Sequence, residues 1–296
     1  MAPMKKTLAP QKSIVTVRDP KGLKFISVVE AAYNKAGLSE EEAQRINEAP
    51  GLSELVHNFI AENRLTDKFK DEEVKSNYGY LSGYKPKSIT EQTNILRQLF
   101  PGIGFADEKI AQGEPPQHAE GWFAIPKWQT MAPTYGEAVQ RVLDMIKKTR
   151  GGKFINFREG QLGPERLRQM TKTASLFKKL CDEQKNHDIL VVAAQFGIRH
   201  RGRSVRRARE VFSANECGLG AFANGIMLLT HPERLQYYDD LWIDCAGDEF
   251  DDPGADVRFV HAPFFRFHDD EVEFGTDFVG DASGGYGSSS AFVPQE

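Results

Sequence analysis

Cysteine is scarce in this sequence, and several motifs of well-known enzymes are missing. The 296 residues include only Cys181, Cys217 and Cys245. An odd number at wide spacing fits neither a disulfide framework nor a Cys-x-x-Cys zinc site, so reduced, partly buried thiols are expected. The sequence has no GxSxG, HExxH or GxxxxGK[ST] motif, and it therefore predicts no hydrolase elbow, zincin site or P-loop.

Long apolar runs are also missing. The longest uncharged, mostly apolar stretches, at 189–198 and 217–230, are shorter than the roughly 18 to 20 residues that cross a bilayer. The start, "MAPMKKTLAPQKSIVTV", lacks the apolar core of a secretory signal. We expect a cytoplasmic protein with no membrane partner.

Charge is unevenly distributed along the chain. The net charge of -4 combines -1 over residues 1–140, +12 over 141–209 and -15 over 210–296. Such segregation fits a basic surface for an anionic ligand, an acidic site for cations, or two regions that neutralise each other in the fold. Composition alone does not choose among these three.

Hydrophobic periodicity predicts two regions. Residues 1–77 form a tail and a small helical region, in which Ser39 and Glu42 make a capping box and a charged helix is expected near 66–76. Residues 78–296 form the core domain. Its best strand is "DILVVAAQF" at 188–196, which has the apolar composition of a strand buried on both faces.

Beyond that strand the sequence predicts more β structure. "GIMLLT" at 225–230 is interpreted as a buried strand, and two strands flank the turn "HDDE" at 268–271. The predicted fold class is α/β, with mixed α+β as the alternative: a buried sheet flanked by helices, with a β-rich C-terminal end.

One stretch concentrates positive charge. "FGIRHRGRSVRRARE" at 196–210 contains six arginines and no lysine, which favours directed, bidentate contacts. With Ser204 as the N-cap of a helix from 205 to about 213, Arg206 and Arg207 oppose the helix dipole unless an anion lies there. Gly202 allows close approach of the backbone, as phosphate sites require.

Three interpretations of this stretch remain open: it binds a phosphate-bearing polyanion, pairs with the acidic C-terminal third, or is solvated. The first predicts nucleic acid or a phosphorylated small molecule as the partner. The predicted ligand-binding residues are Arg199, His200, Arg201, Gly202, Arg203, Ser204, Arg206 and Arg207.

Carboxylates are crowded in "DLWIDCAGDEFDDPGAD" at 240–256. They repel each other unless they are solvated, paired with cations or bound to Mg²⁺ or Ca²⁺, and the spacing does not fit an EF-hand. The predicted metal ligands are Asp244, Asp248, Glu249 and Asp252. A metal beside clamping arginines would suit phosphoryl transfer or hydrolysis.

Five segments carry a resemblance: "GYKPKSITEQTN", "GWFAIPKW", "FGIRHRGRSVRRARE", "LLTHPERL" and "IDCAGDEF". On these, residues 78–295 resemble an uncharacterised family of predicted bacterial proteins from small genomes of uncultured lineages. The resemblance implies a bacterial, cytoplasmic setting and transfers no catalytic residue.

Three functions are therefore expected as alternatives. The first is a protein that binds a phosphate-bearing polyanion, the second a metal-dependent phosphoryl-transfer or hydrolytic enzyme, and the third a non-catalytic interaction protein whose basic and acidic segments form a latch. The sequence does not predict an oligomeric state.

Overall fold

The computed structural model describes residues 16–62 and 66–293, and the chain divides into two compact units, Met1–Arg64 and Leu65–Glu296. Within residues 16–62, the described part of the first unit, there are three helices: α1 (Pro20–Lys35), α2 (Glu40–Asn47) and α3 (Leu52–Glu62). The capping box at the start of α2 is confirmed, because Ser39 accepts from the amide of Glu42 and the Glu42 carboxylate accepts from that of Ser39. No residue of α1 or α2 is buried.

The second unit combines helices with two sheets. Its helices are α4 (Ile89–Leu99), α5 (Tyr135–Thr149), α6 (Thr171–Glu183), α7 (Val205–Val211) and α8 (Ala221–Thr230). Its strands are β1 (Gly121–Pro126), β2 (Phe154–Asn156), β3 (Leu167–Gln169), β4 (Ile189–Gln195), β5 (Glu216–Gly218), β6 (Ile243–Asp244), β7 (Asp248–Phe250), β8 (His261–His268), β9 (Glu271–Phe278) and β10 (Ser290–Phe292). The fold is therefore mixed α/β, as predicted.

The first sheet has the strand order β1-β4-β10-β5 and is antiparallel throughout. Every residue of β4 is buried, which confirms the strand predicted at 188–196. β1 lies at the sheet edge, where its terminal Pro126 costs no ladder hydrogen bond. The connection after β4 therefore leaves the middle of this sheet.

The second sheet has the order β2-β9-β8-β7-β3, with β6 also paired to β8. The hairpin of β8 and β9 turns at Asp269 and Asp270, which have φ of +48° and +61°. Two-residue hairpin turns of this kind need positive φ at both positions, and aspartate tolerates it. The predicted β-rich C-terminal end is confirmed.

Two predicted elements are wrong. "GIMLLT" belongs to the helix α8, in which all ten residues are buried and which packs against α5 and β1. A short run that is apolar on every side fits a buried strand and a buried helix equally well, so its period does not decide between them. Residues 66–76 are turns and extended chain rather than a helix.

Candidate functional site

The arginine stretch connects β4 to α7. A short 3-10 helix covers Ile198–His200, and Ser204 is the N-cap of α7, its hydroxyl accepting from the amide of Arg207 at 3.1 Å. The predicted N-cap is confirmed. Gly197 has φ of +123°, and a Cβ there would lie 2.5 Å from the carbonyl oxygen of Gly287. Glycine therefore permits the sharp turn at the end of β4.

A segment with two adjacent glutamates lies along this connection. This segment, residues 66–76, is called the strap below, and its backbone pairs with that of the arginine stretch. The amide of Val74 donates to the carbonyl of Gly202 at 2.7 Å, and the amide of Ser204 donates to the carbonyl of Glu72 at 3.1 Å. Gly202 has φ of +77°, and a Cβ there would lie 2.3 Å from the Val74 oxygen. The close approach thus depends on glycine.

Glu72 of the strap occupies the N-terminal end of α7. Its Oε2 accepts from Ser204 Oγ at 2.7 Å and from Arg206 Nε at 2.8 Å, and its Oε1 accepts from Arg206 Nη2. The hydrogen bond from Arg206 holds the pKa of Glu72 below its usual value. The anion that the first-turn arginines require is therefore a side chain of this chain.

Arg207 is buried among carboxylates. Its Nε donates to Glu73 at 2.5 Å and its Nη1 to Glu210 at 2.8 Å. Glu210 also accepts from Thr66 Oγ and from two amides of the strap. Burial opposes ionisation of Glu210, but the hydrogen bonds from Thr66 and Arg207 outweigh it and lower its pKa to about 2. Glu73 thus ties the strap directly to the Arg207 guanidinium, and Glu210 binds both the guanidinium and the strap.

Glu216 organises the other end of the stretch. Its Oε1 lies 2.7 Å from His200 Nε2 and 3.2 Å from Arg199 Nε, and it accepts from Ser290 Oγ at 2.6 Å. Burial would raise the pKa of Glu216, but the bond to His200 and its companions lower it to about 2. Arg203 Nη1 lies 3.1 Å from His200 Nδ1, so that nitrogen is the acceptor and Nε2 carries the proton toward Glu216.

The remaining two arginines donate to carbonyls. Arg201 is exposed and donates from Nη1 to the carbonyl of Tyr78 at 2.9 Å. Arg209 donates to the carbonyls of Ala246 and Asp248 at 2.9 and 2.7 Å, and burial lowers its pKa to about 10. Of the six arginines, only Arg201 is exposed, whereas Arg203 and Arg206 are half-buried.

Asp248, a predicted metal ligand, caps a helix instead. It is fully buried, and its carboxylate accepts from the hydroxyl of Tyr135 at 2.8 Å and from the amide of Ala221 at 2.7 Å. Gly220, the N-cap of α8, has no side chain for this purpose, and a carboxylate at a helix start is favourable. Burial raises the pKa of Asp248 to about 7.

The other predicted metal ligands have separate surroundings. Glu249 pairs with Arg168 at 2.9 Å, and Asp252 pairs with Arg158 at 2.5 Å. Asp244 is buried, its Oδ2 has no hydrogen-bond partner, and burial raises its pKa to about 7. Over the described residues, no three His, Cys, Asp or Glu side chains are grouped so that they could hold a metal ion.

Sequence reasoning missed the strap. Glu72 and Glu73 stand next to each other at the end of a charged segment, and this was the available signal. The acidic C-terminal third, proposed as the partner of the arginines, supplies Glu210 and Glu216 but not the loop 248–256, apart from the carbonyl of Asp248.

No protein-family model matches the chain, and no curated protein or solved structure matches it at a significant level. The resemblance drawn from residues 78–295 therefore stays a prediction. Within the described ranges, every helix is too short or too polar to cross a bilayer.

Proposed function

We propose that this is a non-catalytic interaction protein whose arginine-rich turn binds a carboxylate-bearing peptide segment, and that the strap is this segment within the chain. The observation that carries the proposal is the contact of Glu72 with both Arg206 Nε and Arg206 Nη2 beside Ser204. Forked contacts of this kind give arginine its directional recognition of carboxylates.

The backbone contacts support a peptide as the partner. The strap donates from Val74 and accepts at Glu72, so main chain and side chains are recognised together. A peptide in trans with the same two adjacent glutamates meets the same donors. The latch is then a competition between the strap and an acidic partner.

A trans-binding experiment tests this proposal. We expect a fluorescent peptide of residues 66–76 to bind a Glu72→Gln/Glu73→Gln variant of the full chain about tenfold more tightly than the wild type, whose own strap competes. Asp182→Asn, which removes an exposed pair with Lys178, is the matched control and leaves peptide affinity unchanged. Equal, salt-insensitive affinities for all three proteins contradict the proposal.

A phosphate-bearing polyanion is the second candidate ligand, because Ser204 Oγ and the guanidinium of Arg206 are also donors that phosphate oxygens accept. On this alternative a labelled single-stranded oligonucleotide binds the Glu72→Gln/Glu73→Gln variant at low salt, and its affinity falls steeply as salt rises. Arg206→Gln removes that binding. Oligonucleotide binding without peptide binding favours the second candidate over the first.

A further inference from the structure

A cleft of about 840 Å³ lies beside the first sheet. Two loops form its walls, residues 110–118 and 213–215, and Trp122 of β1 and Phe292 of β10 contribute aromatic surface. Small-molecule sites typically enclose about 300 to 1,000 Å³ and combine apolar walls with a few polar groups. The cleft has this size and this mixture of surfaces.

Trp122 offers an unoccupied aromatic face. Its indole nitrogen donates to the carbonyl of Gly113 at 2.9 Å, which fixes the ring's orientation. Trp128 and Trp242 stack or pack edge-on against tyrosines, whereas no ring or cation of the described residues lies over Trp122. A half-buried, oriented indole without a ring partner is a platform on which a planar group stacks.

The sheet register places two rings on one face. Trp122 and Phe292 are both paired with Ala193, from opposite sides. Directly paired residues of antiparallel strands project to the same face. The small alanine thus separates two aromatic residues in one row, and both of them line the cleft.

The lining loop 213–215 carries a hydrogen-bond donor and an acceptor. Ser213 Oγ accepts from Arg199 Nη2 at 3.0 Å and keeps its own hydrogen for donation. Asn215 donates from Nδ2 to the carbonyl of Val293 at 3.2 Å, which leaves its Oδ1 as an acceptor. One donor and one acceptor on a short loop are the groups with which the polar edge of a planar heterocycle forms hydrogen bonds.

We infer that this cleft binds a nucleobase, which stacks on Trp122 and forms hydrogen bonds with Ser213 and Asn215 at its edge. A base meets both requirements at once, since it combines a π-face with adjacent donors and acceptors. Stacking on an aromatic side chain strengthens binding about fivefold to a hundredfold per base. The base comes either from a free nucleotide or from a single strand. The inference does not depend on the arginine turn's binding a peptide.

Indole resonances provide the test. The full-length ¹⁵N-labelled protein has three tryptophans and hence three indole N–H signals, and Trp122→Phe assigns the one of interest. On titration with nucleoside monophosphates, we expect the Trp122 signal to shift and the other two to stay in place. A matching shift with an oligonucleotide alone assigns the base to a single strand.

Variants away from the strand separate binding from folding. Ser213→Ala should lower the affinity for the nucleotide about tenfold. Ser175→Ala, on the exposed face of α6, should leave this affinity unchanged. His118 lines the cleft and has φ of +77°. His118→Gly removes this side chain from the lining and places there the residue that adopts a positive φ without strain. Absence of any Trp122 shift at millimolar nucleotide and oligonucleotide, or a shift produced equally by a neutral sugar, overturns the inference.

Discussion

Two groups of carboxylates, all buried except the half-buried Glu210, behave in opposite ways. Glu210 and Glu216 meet arginines and hydrogen-bond donors, which lower each pKa to about 2 even though burial opposes this. Asp244 and Asp248 lie in surroundings where burial dominates and raises each pKa to about 7. The difference teaches that burial does not set ionisation by itself: it depends on whether the facing donors and cations outweigh the cost of burial.

The largest expected effect comes from removing a paired carboxylate. Glu216→Gln leaves Arg199 beside a neutral amide in a buried site, and we expect the free energy of unfolding to fall by about 3 to 5 kcal/mol. Urea denaturation measures it. The matched control is Glu249→Gln, whose partner Arg168 is half exposed, so its loss should stay below about 1 kcal/mol. Equal losses in the two variants would show that Glu216 stabilises the fold no more than a surface ion pair does.

The raised pKa values of Asp244 and Asp248 should make the free energy of unfolding depend on pH with a sign opposite to that expected from Glu210 and Glu216. A carboxyl whose pKa is raised on folding stabilises the protein below its unfolded pKa, near 3.8, and this stability is lost as pH rises toward about 7. Asp244→Asn should remove this loss. Relative to the wild type, its free energy of unfolding should be up to about 4 kcal/mol higher at pH 7 than at pH 4. Urea titrations at both pH values measure this.

Asp252→Asn is the control for that measurement, because a backbone hydrogen bond from Gly254 lowers the pKa of Asp252 instead. Asp248 titrates in the same window, so the Asp244→Asn variant keeps part of the slope. An unchanged slope between pH 4 and 7 would show that Asp244 is ionised in the folded protein.

A smaller effect is expected from loosening the strap without changing its charge. Gly202→Ala adds a Cβ 2.3 Å from the carbonyl oxygen of Val74 at a positive φ, which should cost about 1 to 3 kcal/mol. Hydrogen exchange of residues 66–76 should speed up. Gly254→Ala, where a Cβ meets its nearest atom at 3.4 Å, is the matched control. Unchanged exchange in the strap would show that its backbone pairing contributes little.

The smallest effect is expected from removing the hydrogen bond between Tyr135 and Asp248. Tyr135→Phe removes the hydroxyl that donates to Asp248 and should cost about 1 kcal/mol in the free energy of unfolding. It should also raise the pKa of Asp248 further, since that hydrogen bond lowers it. Tyr238→Phe, at an exposed side chain, should change neither quantity.

Local chemistry explains why some elements could be predicted. The capping box at Ser39, the N-cap at Ser204 and the strand β4 depend on neighbours in sequence, and each is found where the sequence places it. The strand predicted at 225–230 was wrong, because an all-apolar run such as that of α8 lacks a diagnostic period. The helix predicted at 66–76 was wrong, because the conformation of the strap depends on hydrogen bonds to Gly202 and Ser204, more than a hundred residues away.

The sequence alone determined where charge is concentrated, that the fold is mixed α/β and that Arg206 and Arg207, in the first turn of a helix capped by Ser204, are unfavourable without an anion. Tertiary structure alone decided which anions they meet: Glu72, Glu73, Glu210 and Glu216 rather than the loop 248–256. The physical reason is that ion pairing and desolvation depend on distances of a few ångströms, and only the folded chain sets these distances.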